Sequence, residues 1–120
     1  MNDVARLERL VAVAHASELR ARSDLAVAAR CLARRVEAAR QLEQITLPSD
    51  PDGALGALKS LAARPERLAA LQREIARLRV DHAGLISALR TAIGRRAALE
   101  QLHVRAVAGA AAARRRRHTS

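Results

Sequence analysis

Two short spacings in the sequence could bring metal-binding or acid–base side chains together. Glu100 and His103 are three residues apart, and so are His15 and Glu18, a separation that places both side chains on one face of an α-helix. Glu-x-x-His turns of this kind hold iron in helical bundles, but such a site also needs two further carboxylates from other helices, and we cannot place them here. We therefore interpret both histidines as solvated or seam-edge residues, with a metal site as the alternative, and predict no metal and no cofactor.

Other signatures of catalysis are absent from the sequence. It contains no glycine-rich phosphate loop, no G-x-S-x-G turn and no H-E-x-x-H pair. One cysteine, Cys31, excludes an internal disulfide, and with only four histidines there is no zinc cluster of the usual spacing. We interpret Cys31 as a small buried or half-buried apolar residue, and His82 as a packing residue on an apolar stripe. The sequence predicts a noncatalytic protein.

Composition points to long helices as the elements that position these residues. Of 120 residues, 29 are Ala, 17 are Leu and none is Phe, Trp or Tyr. Because aromatic rings dominate ordinary cores, a chain without them is poorly suited to a compact layered globule. Ala and Leu instead favour thin seams between helices. These numbers exclude most β architectures and most enzymes with a deep apolar pocket.

The first element is predicted to be one long helix over about residues 2–46. Its apolar residues recur every three or four positions, as in an amphipathic helix: Val4, Leu7, Val11, Ala14, Ala21, Leu25, Ala28, Leu32, Ala39 and Leu42. Asn2 or Asp3 can cap its start. Glu18 and Arg35 interrupt the stripe, so we expect them to pair across the seam or to lie at its edge.

Prolines and a glycine mark a break after the first helix. The segment 47–64 begins with Leu47-Pro48-Ser49-Asp50-Pro51-Asp52-Gly53, in which Asp50 resembles an N-cap with Pro51 at the first helical position. A short amphipathic helix is then predicted to about Arg64, with Leu55, Leu58, Leu61 and Ala62 on its apolar face. Pro65 interrupts this helix or kinks it into the next one.

A second long helix is predicted over about residues 65–115, followed by a frayed basic tail. Its stripe consists of Leu68, Leu71, Ile75, Leu78, His82, Leu85, Leu89, Ala92, Leu99 and Ala106. The two stripes are most simply covered by each other, which predicts an all-α, antiparallel two-helix coiled-coil hairpin with a short helical excursion between the long helices. When the ends of the two long helices are paired at residues 45 and 67, Glu18 faces the region of Arg95 and Arg96.

Charge and thin packing both predict partners. The net charge is +10, and four of the arginines, Arg114 to Arg117, are consecutive in the tail 114–120. They are the predicted partner contact, with compensation of the helix dipole as the alternative. Because a two-helix hairpin buries little, we expect a homodimer or a larger protein partner. Nucleic-acid binding is disfavoured because no aromatic residue is available to stack on bases.

The N-terminus shows no signal peptide and the chain shows no transmembrane segment, so we expect a cytoplasmic protein.

Parts of both helices resemble a known family. The first helix contains L-E-R-L-V-A-V-A, E-L-R-A-R-S-D-L-A-V-A-A-R-C-L and R-Q-L-E-Q, and the second ends in A-L-R-T-A-I-G-R-R-A-A-L-E-Q-L-H-V-R. These segments resemble the FliJ/YscO family, the coiled-coil stalk proteins of flagellar and type III secretion export machines. The resemblance implies an antiparallel two-helix coiled coil whose joined terminal end enters a hexameric export ATPase. It also implies contacts with the export gate protein and substrate chaperones.

Two further functions remain open from the residues alone. One is a self-associating helical structural protein or export chaperone, and the other is a basic coiled coil associated with nucleic acid. The resemblance favours a stalk or adaptor for the export ATPase, located in the cytoplasm and peripheral to the inner membrane.

Overall fold

The computed structural model describes residues 3–44 and 49–119, which form two α-helices and no strand. Helix α1 spans Asp3–Glu43 and helix α2 spans Pro51–Thr119. The contacts divide the chain into unit 1 (Met1–Leu25 and Leu85–Ser120) and unit 2 (Ala26–Gly84). Each unit pairs a segment of α1 with a segment of α2, and the segments run antiparallel. The predicted all-α helical hairpin is confirmed.

Unit 1 has a thin seam in which the most deeply buried apolar residues are small. Ala14 of α1 and Ala92 of α2 are its buried apolar residues among those described, and the larger side chains around them are half-buried. The seam positions predicted from the sequence are confirmed in this unit, since all of them are buried or half-buried: Val4, Leu7, Val11, Ala14, Ala21, Leu25, Leu85, Leu89, Ala92, Leu99 and Ala106. Arg96 and His103 occupy the positions where the apolar stripe of α2 is interrupted.

Unit 2 carries the bulkiest buried apolar residue of the described chain, Ile75, together with Ala39. The predicted seam is confirmed here as well, with half-buried Ala28, Leu32, Leu42, Leu68, Leu71, Leu78 and His82. Cys31 is half-buried and free, as expected. Heptad-like periodicity therefore located the inward face of both long helices.

Helix α2 begins where the predicted cap places it. Asp50 Oδ2 accepts a hydrogen bond from the Gly53 amide at 2.6 Å, and the Ala54 amide donates to the Asp50 carbonyl at 2.8 Å. Pro51 takes the first helical position, where its missing N–H costs nothing. A Cβ on residue 53 would lie 2.6 Å from the Asp50 carboxylate, so glycine leaves room for this cap.

The predicted short helix over 51–64 is instead the first part of α2, which passes through Pro65 without ending. Proline removes one hydrogen bond, but the strong helix formers on both sides sustain the helix. Because the helix is continuous, Leu68 and Leu71 fix which face turns inward. That face carries Ala54, Ala57 and Leu61, whereas Leu55, Leu58 and Ala62 are exposed, contrary to the prediction.

Both long helices end at positions other than those predicted. α1 ends at Glu43 rather than near residue 46, and the expectations for Asn2 and for Leu47-Pro48 lie outside the described residues. α2 continues beyond Arg115 to Thr119, so the described part of the tail 114–120 is helical rather than frayed. Arginine is a good helix former, and cations stabilise a helix C-terminus. The Thr119 hydroxyl also donates to the carbonyls of Arg115 and Arg116.

Candidate functional site

A buried carboxylate lies in the seam of unit 1. Glu18 occupies a seam position of α1 and retains only 4% of its surface exposure. It interrupts the apolar stripe because a glutamate stands where the three- and four-residue spacing requires an apolar side chain. Burial of a charge is costly unless partners are provided, so the surroundings of Glu18 decide whether this unit can form.

Two arginines supply those partners. Arg96 of α2 donates from Nε to Glu18 Oε2 at 2.8 Å, and Arg22, one turn along α1, donates to Glu18 Oε1 at 2.8 Å. This arrangement confirms that Glu18 pairs across the seam within the predicted region of Arg95 and Arg96, and it identifies Arg96 as the partner. Both carboxylate oxygens are thus bonded, which satisfies the buried charge.

The network extends to a second carboxylate and a histidine. Arg96 Nη1 donates to Glu100 Oε2 at 2.9 Å, and His15 Nε2 lies 2.8 Å from Glu100 Oε1. We call Glu18, Arg22, Arg96, Glu100 and His15 the polar network. It connects α1 and α2 at two points on one side of unit 1.

The network holds both of its carboxylates in the charged form. The hydrogen bond from Arg96 lowers the pKa of Glu18 below its ordinary value, with burial opposing and the nearby positive charges adding to the effect. The same guanidinium lowers the pKa of Glu100. A general acid for neutral pH would need the opposite shift, so neither carboxylate is suited to that role.

The two Glu/His spacings do not converge on a shared site. His15 lies beside Glu100, but both oxygens of Glu18 are bonded to Arg22 and Arg96. His103 turns towards Glu8 instead, with its buried Nε2 atom 3.6 Å from Glu8 Oε1 and without a hydrogen bond. Across the described ranges 3–44 and 49–119, no three His, Cys, Asp or Glu side chains are grouped so that they could hold a metal ion.

The second polar interruption, Arg35, is resolved differently in unit 2. Its Nε lies 3.0 Å from Glu74 Oε1, and both side chains keep substantial exposure. The expectation that Glu18 and Arg35 pair across the seam or lie at its edge is therefore confirmed for both residues.

The predicted partner contact lies in the last turns of α2. Arg114, Arg115, Arg116 and Arg117 are all exposed, and Arg117 Nε reaches the Ala113 carbonyl at 3.5 Å. Cations beside the last carbonyls are stabilised by the helix dipole. The structure thus presents four adjacent guanidinium groups at the surface of unit 1.

An apolar groove on the other side of unit 1 was not foreseen from the sequence. Two adjoining depressions of about 480 and 180 Å³ lie between α1 and α2. We call them together the side groove, and its apolar walls are Leu7, Leu10, Val13, Leu99, Leu102 and Ala106. Leu10, Val13 and Leu102 flank the seam positions, so a search for seam periodicity passes over them. The three-residue spacings from Leu7 to Leu10 and from Leu99 to Leu102 were the sequence feature that could have indicated this second apolar face.

No described helix contains a stretch long and apolar enough to cross a membrane. Comparison of the chain with protein-family models, with curated proteins and with solved structures finds no match.

Proposed function

We propose that this chain is a noncatalytic coiled-coil component of a bacterial flagellar or type III protein export apparatus. In this role it acts as a stalk or adaptor for the export ATPase and its chaperones. The observation that carries the proposal is the helical hairpin whose helices are joined across the seam by Glu18 and Arg96. The resemblance of both helices to the FliJ/YscO family supplies the biological context.

The buried ion pair suits a part that must keep its two helices in fixed alignment. A polar residue in an apolar seam specifies register, because any slip leaves its charge without a partner. Sliding α2 by one heptad would place Leu89 or His103 opposite Glu18 in place of Arg96. An adaptor that transmits position or force between partners needs such alignment, whereas it needs no reactive group.

The charge of unit 1 supports a partner with an acidic surface. Unit 1 contains 12 basic and five acidic residues, whereas unit 2 contains ten and seven. Arg114 to Arg117 supply a third of the basic residues in unit 1 and are exposed. An acidic lumen of a ring-shaped ATPase would be complementary to this end of the chain. This role places the protein in the cytoplasm at the inner-membrane export apparatus.

The proposal is tested by adding the purified chain to a flagellar or type III export ATPase and measuring ATP hydrolysis. We expect turnover to rise several-fold and the two proteins to co-purify. A variant with glutamine at positions 114–117 removes the charge but keeps residues that favour a helix, so it serves as the matched variant. It should lose the stimulation while retaining the circular dichroism spectrum. Unchanged turnover together with no co-purification would count against the proposal.

The four exposed arginines also favour a second candidate, nonspecific contact with nucleic-acid phosphates. A gel-shift assay with duplex DNA at two salt concentrations tests it. A shift that weakens steeply with salt and disappears in the glutamine variant would favour this candidate over the ATPase adaptor.

A further inference from the structure

The side groove has the form of a surface that receives a third helix. Leu10 and Val13 on α1 are three residues apart, and Leu99 and Leu102 on α2 repeat that spacing on the opposite wall. Two antiparallel helices with apolar side chains at this interval offer the holes into which the side chains of another helix fit. Much of the surface is uncovered, since Leu10 is 40% exposed, Leu102 48% and Val13 66%.

Positive charge predominates on the α2 segment that forms one wall of the side groove. Between residues 85 and 119, α2 contains eight arginines and a single acidic residue, Glu100. Glu100 lies in the polar network, where Arg96 and His15 already occupy its oxygens. Along the groove, α2 therefore contributes Arg95 and no carboxylate. On the α1 wall the groove is lined by one arginine, Arg6, and one carboxylate, Asp3.

A second copy of the chain is a poor occupant by the same reasoning. Residues 1–25 carry four basic and four acidic residues, so the excess of seven positive charges in unit 1 comes from α2. Two copies of unit 1, each carrying this excess, would repel each other, and this repulsion acts over roughly 8–10 Å in physiological salt. An acidic partner would instead be attracted to the groove.

We propose that the side groove binds an amphipathic helix of an acidic protein partner. Leucine-like side chains at three- and four-residue spacing fill the space between Leu10, Val13 and Leu102, while flanking carboxylates of the partner pair with the arginines. This inference goes beyond the proposed function, because the groove would take such a helix in any assembly. The polar network on the opposite side keeps the two walls aligned when the groove is empty.

The test uses three synthetic peptides of equal length and measures binding to the full-length chain by fluorescence anisotropy. The first has leucine at heptad a and d positions and glutamate at flanking positions, the second has lysine at those flanking positions, and the third is a scrambled form of the first. We expect the first peptide to bind at least about tenfold more tightly than the other two. Its affinity should fall as salt is raised from 0.05 to about 0.5 M.

Matched variants locate the binding site. Val13→Glu and Leu102→Glu place a carboxylate in the groove and should each weaken binding of the first peptide by at least about tenfold. Leu58→Glu and Val80→Glu alter exposed apolar residues of unit 2 and should leave its affinity unchanged. Thermal melts of all four variants check that each is folded.

Three results would overturn the inference. Equal affinity for the glutamate- and lysine-flanked peptides would show that the partner need not be acidic. Unchanged binding by Val13→Glu and Leu102→Glu would show that the side groove is not the binding site. Light scattering that shows a dimer, converted to monomer by either groove variant, would make a second copy the occupant. None of these measurements involves an ATPase, so failure of the export role and failure of this inference are separable.

Discussion

Two charged residues interrupt the same apolar stripe of α1, and the two units accommodate them in opposite ways. In unit 1, Glu18 stays in the seam at 4% exposure, and Arg96 is brought to it from α2. In unit 2, Arg35 leaves the seam, with its side chain 47% exposed, and meets Glu74 near the surface. The difference follows from side-chain length, because arginine can extend its charge to water while its stem covers apolar surface.

The comparison shows that a position in the apolar stripe does not by itself decide how much stability a polar residue costs. A short carboxylate cannot leave the seam, so the facing helix must supply its counter-charge. An arginine, by contrast, needs only a position at the edge of the seam, because its long side chain carries the charge out to water. Unit 1 should therefore depend on its ion pair, whereas unit 2 should depend on apolar packing around Ile75 and be indifferent to its own ion pair.

The largest effect is expected from Arg96→Leu. This change leaves the buried Glu18 carboxylate with Arg22 as its remaining bonded partner, and removal of one partner from a buried ion pair is strongly destabilising. We expect the melting temperature, followed by circular dichroism at neutral pH, to fall by about 15 °C.

The double variant Glu18→Leu/Arg96→Leu is the control for this loss. Removing both charges restores an apolar seam, so its melting temperature should return to that of the unmodified chain or exceed it. A double variant as unstable as Arg96→Leu would show that the lost stability comes from packing of the Arg96 stem and not from the stranded carboxylate.

The next largest effect is expected in unit 2 from Ile75→Ala. Ile75 is only 7% exposed, and truncation of a buried isoleucine costs at least about 2 kcal/mol. Urea unfolding monitored at 222 nm measures this loss. Ala76→Ser, an exposed neighbour, is the control. A loss below about 0.5 kcal/mol would mean that unit 2 is not held together by this contact.

A smaller effect is expected from acid, and it should be centred on unit 1. The pKa of Glu18 and that of Glu100 are lowered from the ordinary value of about 4.5. Their contribution to stability is therefore complete above that value and is lost as pH falls through the lowered pKa values. We expect the melting temperature to fall as pH is lowered from 5 through the range below 4.5, and to fall less than it does in Arg96→Leu.

The glutamine variant Glu18→Gln tests which carboxylate is responsible. It has no charge to lose, so its melting temperature should change less over the same pH interval. Glu37→Gln in unit 2 is the matched variant, since the pKa of Glu37 is also lowered, by Arg40, but at the surface. If Glu37→Gln flattens the acid response as much as Glu18→Gln does, burial of the carboxylate is not what matters.

The smallest effect is expected from Arg35→Leu. An exposed ion pair contributes about 0–1 kcal/mol, and leucine would improve the apolar seam at this position. The melting temperature should change by less than about 3 °C in either direction. A loss comparable with that of Arg96→Leu would remove the distinction between the two units.

Periodicity and charge pairing made much of this structure predictable. The stripes identified the inward residues of both long helices. Pairing the facing ends of the two predicted helices set the register in which Glu18 meets Arg96. Asp50 and Pro51 were recognisable as a helix start because the cap chemistry is local. These features depend on neighbours close in sequence or on one simple pairing of two helices.

The remaining features depend on competition that local patterns do not express. Pro65 is typical of a helix boundary, but the strong helix formers around it prevail, and this continuity turns Leu55 and Leu58 outward. The glutamate–histidine spacings at residues 15–18 and 100–103 left a metal site as the alternative, and only with both helices in place is Glu18 seen bonded to Arg96 and Arg22. The side groove could not be predicted because Leu10, Val13 and Leu102 flank the stripes and become neighbours only when both helices are in place.

The Glu18–Arg96 pair also has a consequence for how such a chain can evolve. Replacing Arg96 alone leaves the buried Glu18 carboxylate without its partner on the facing helix, whereas replacing Glu18 leaves Arg96 paired with Glu100. Descendants of this sequence are therefore expected to lose Arg96 only together with Glu18 or after it. Correlated variation at positions 18 and 96 would be the genetic trace of that constraint, while position 35 should drift independently of position 74.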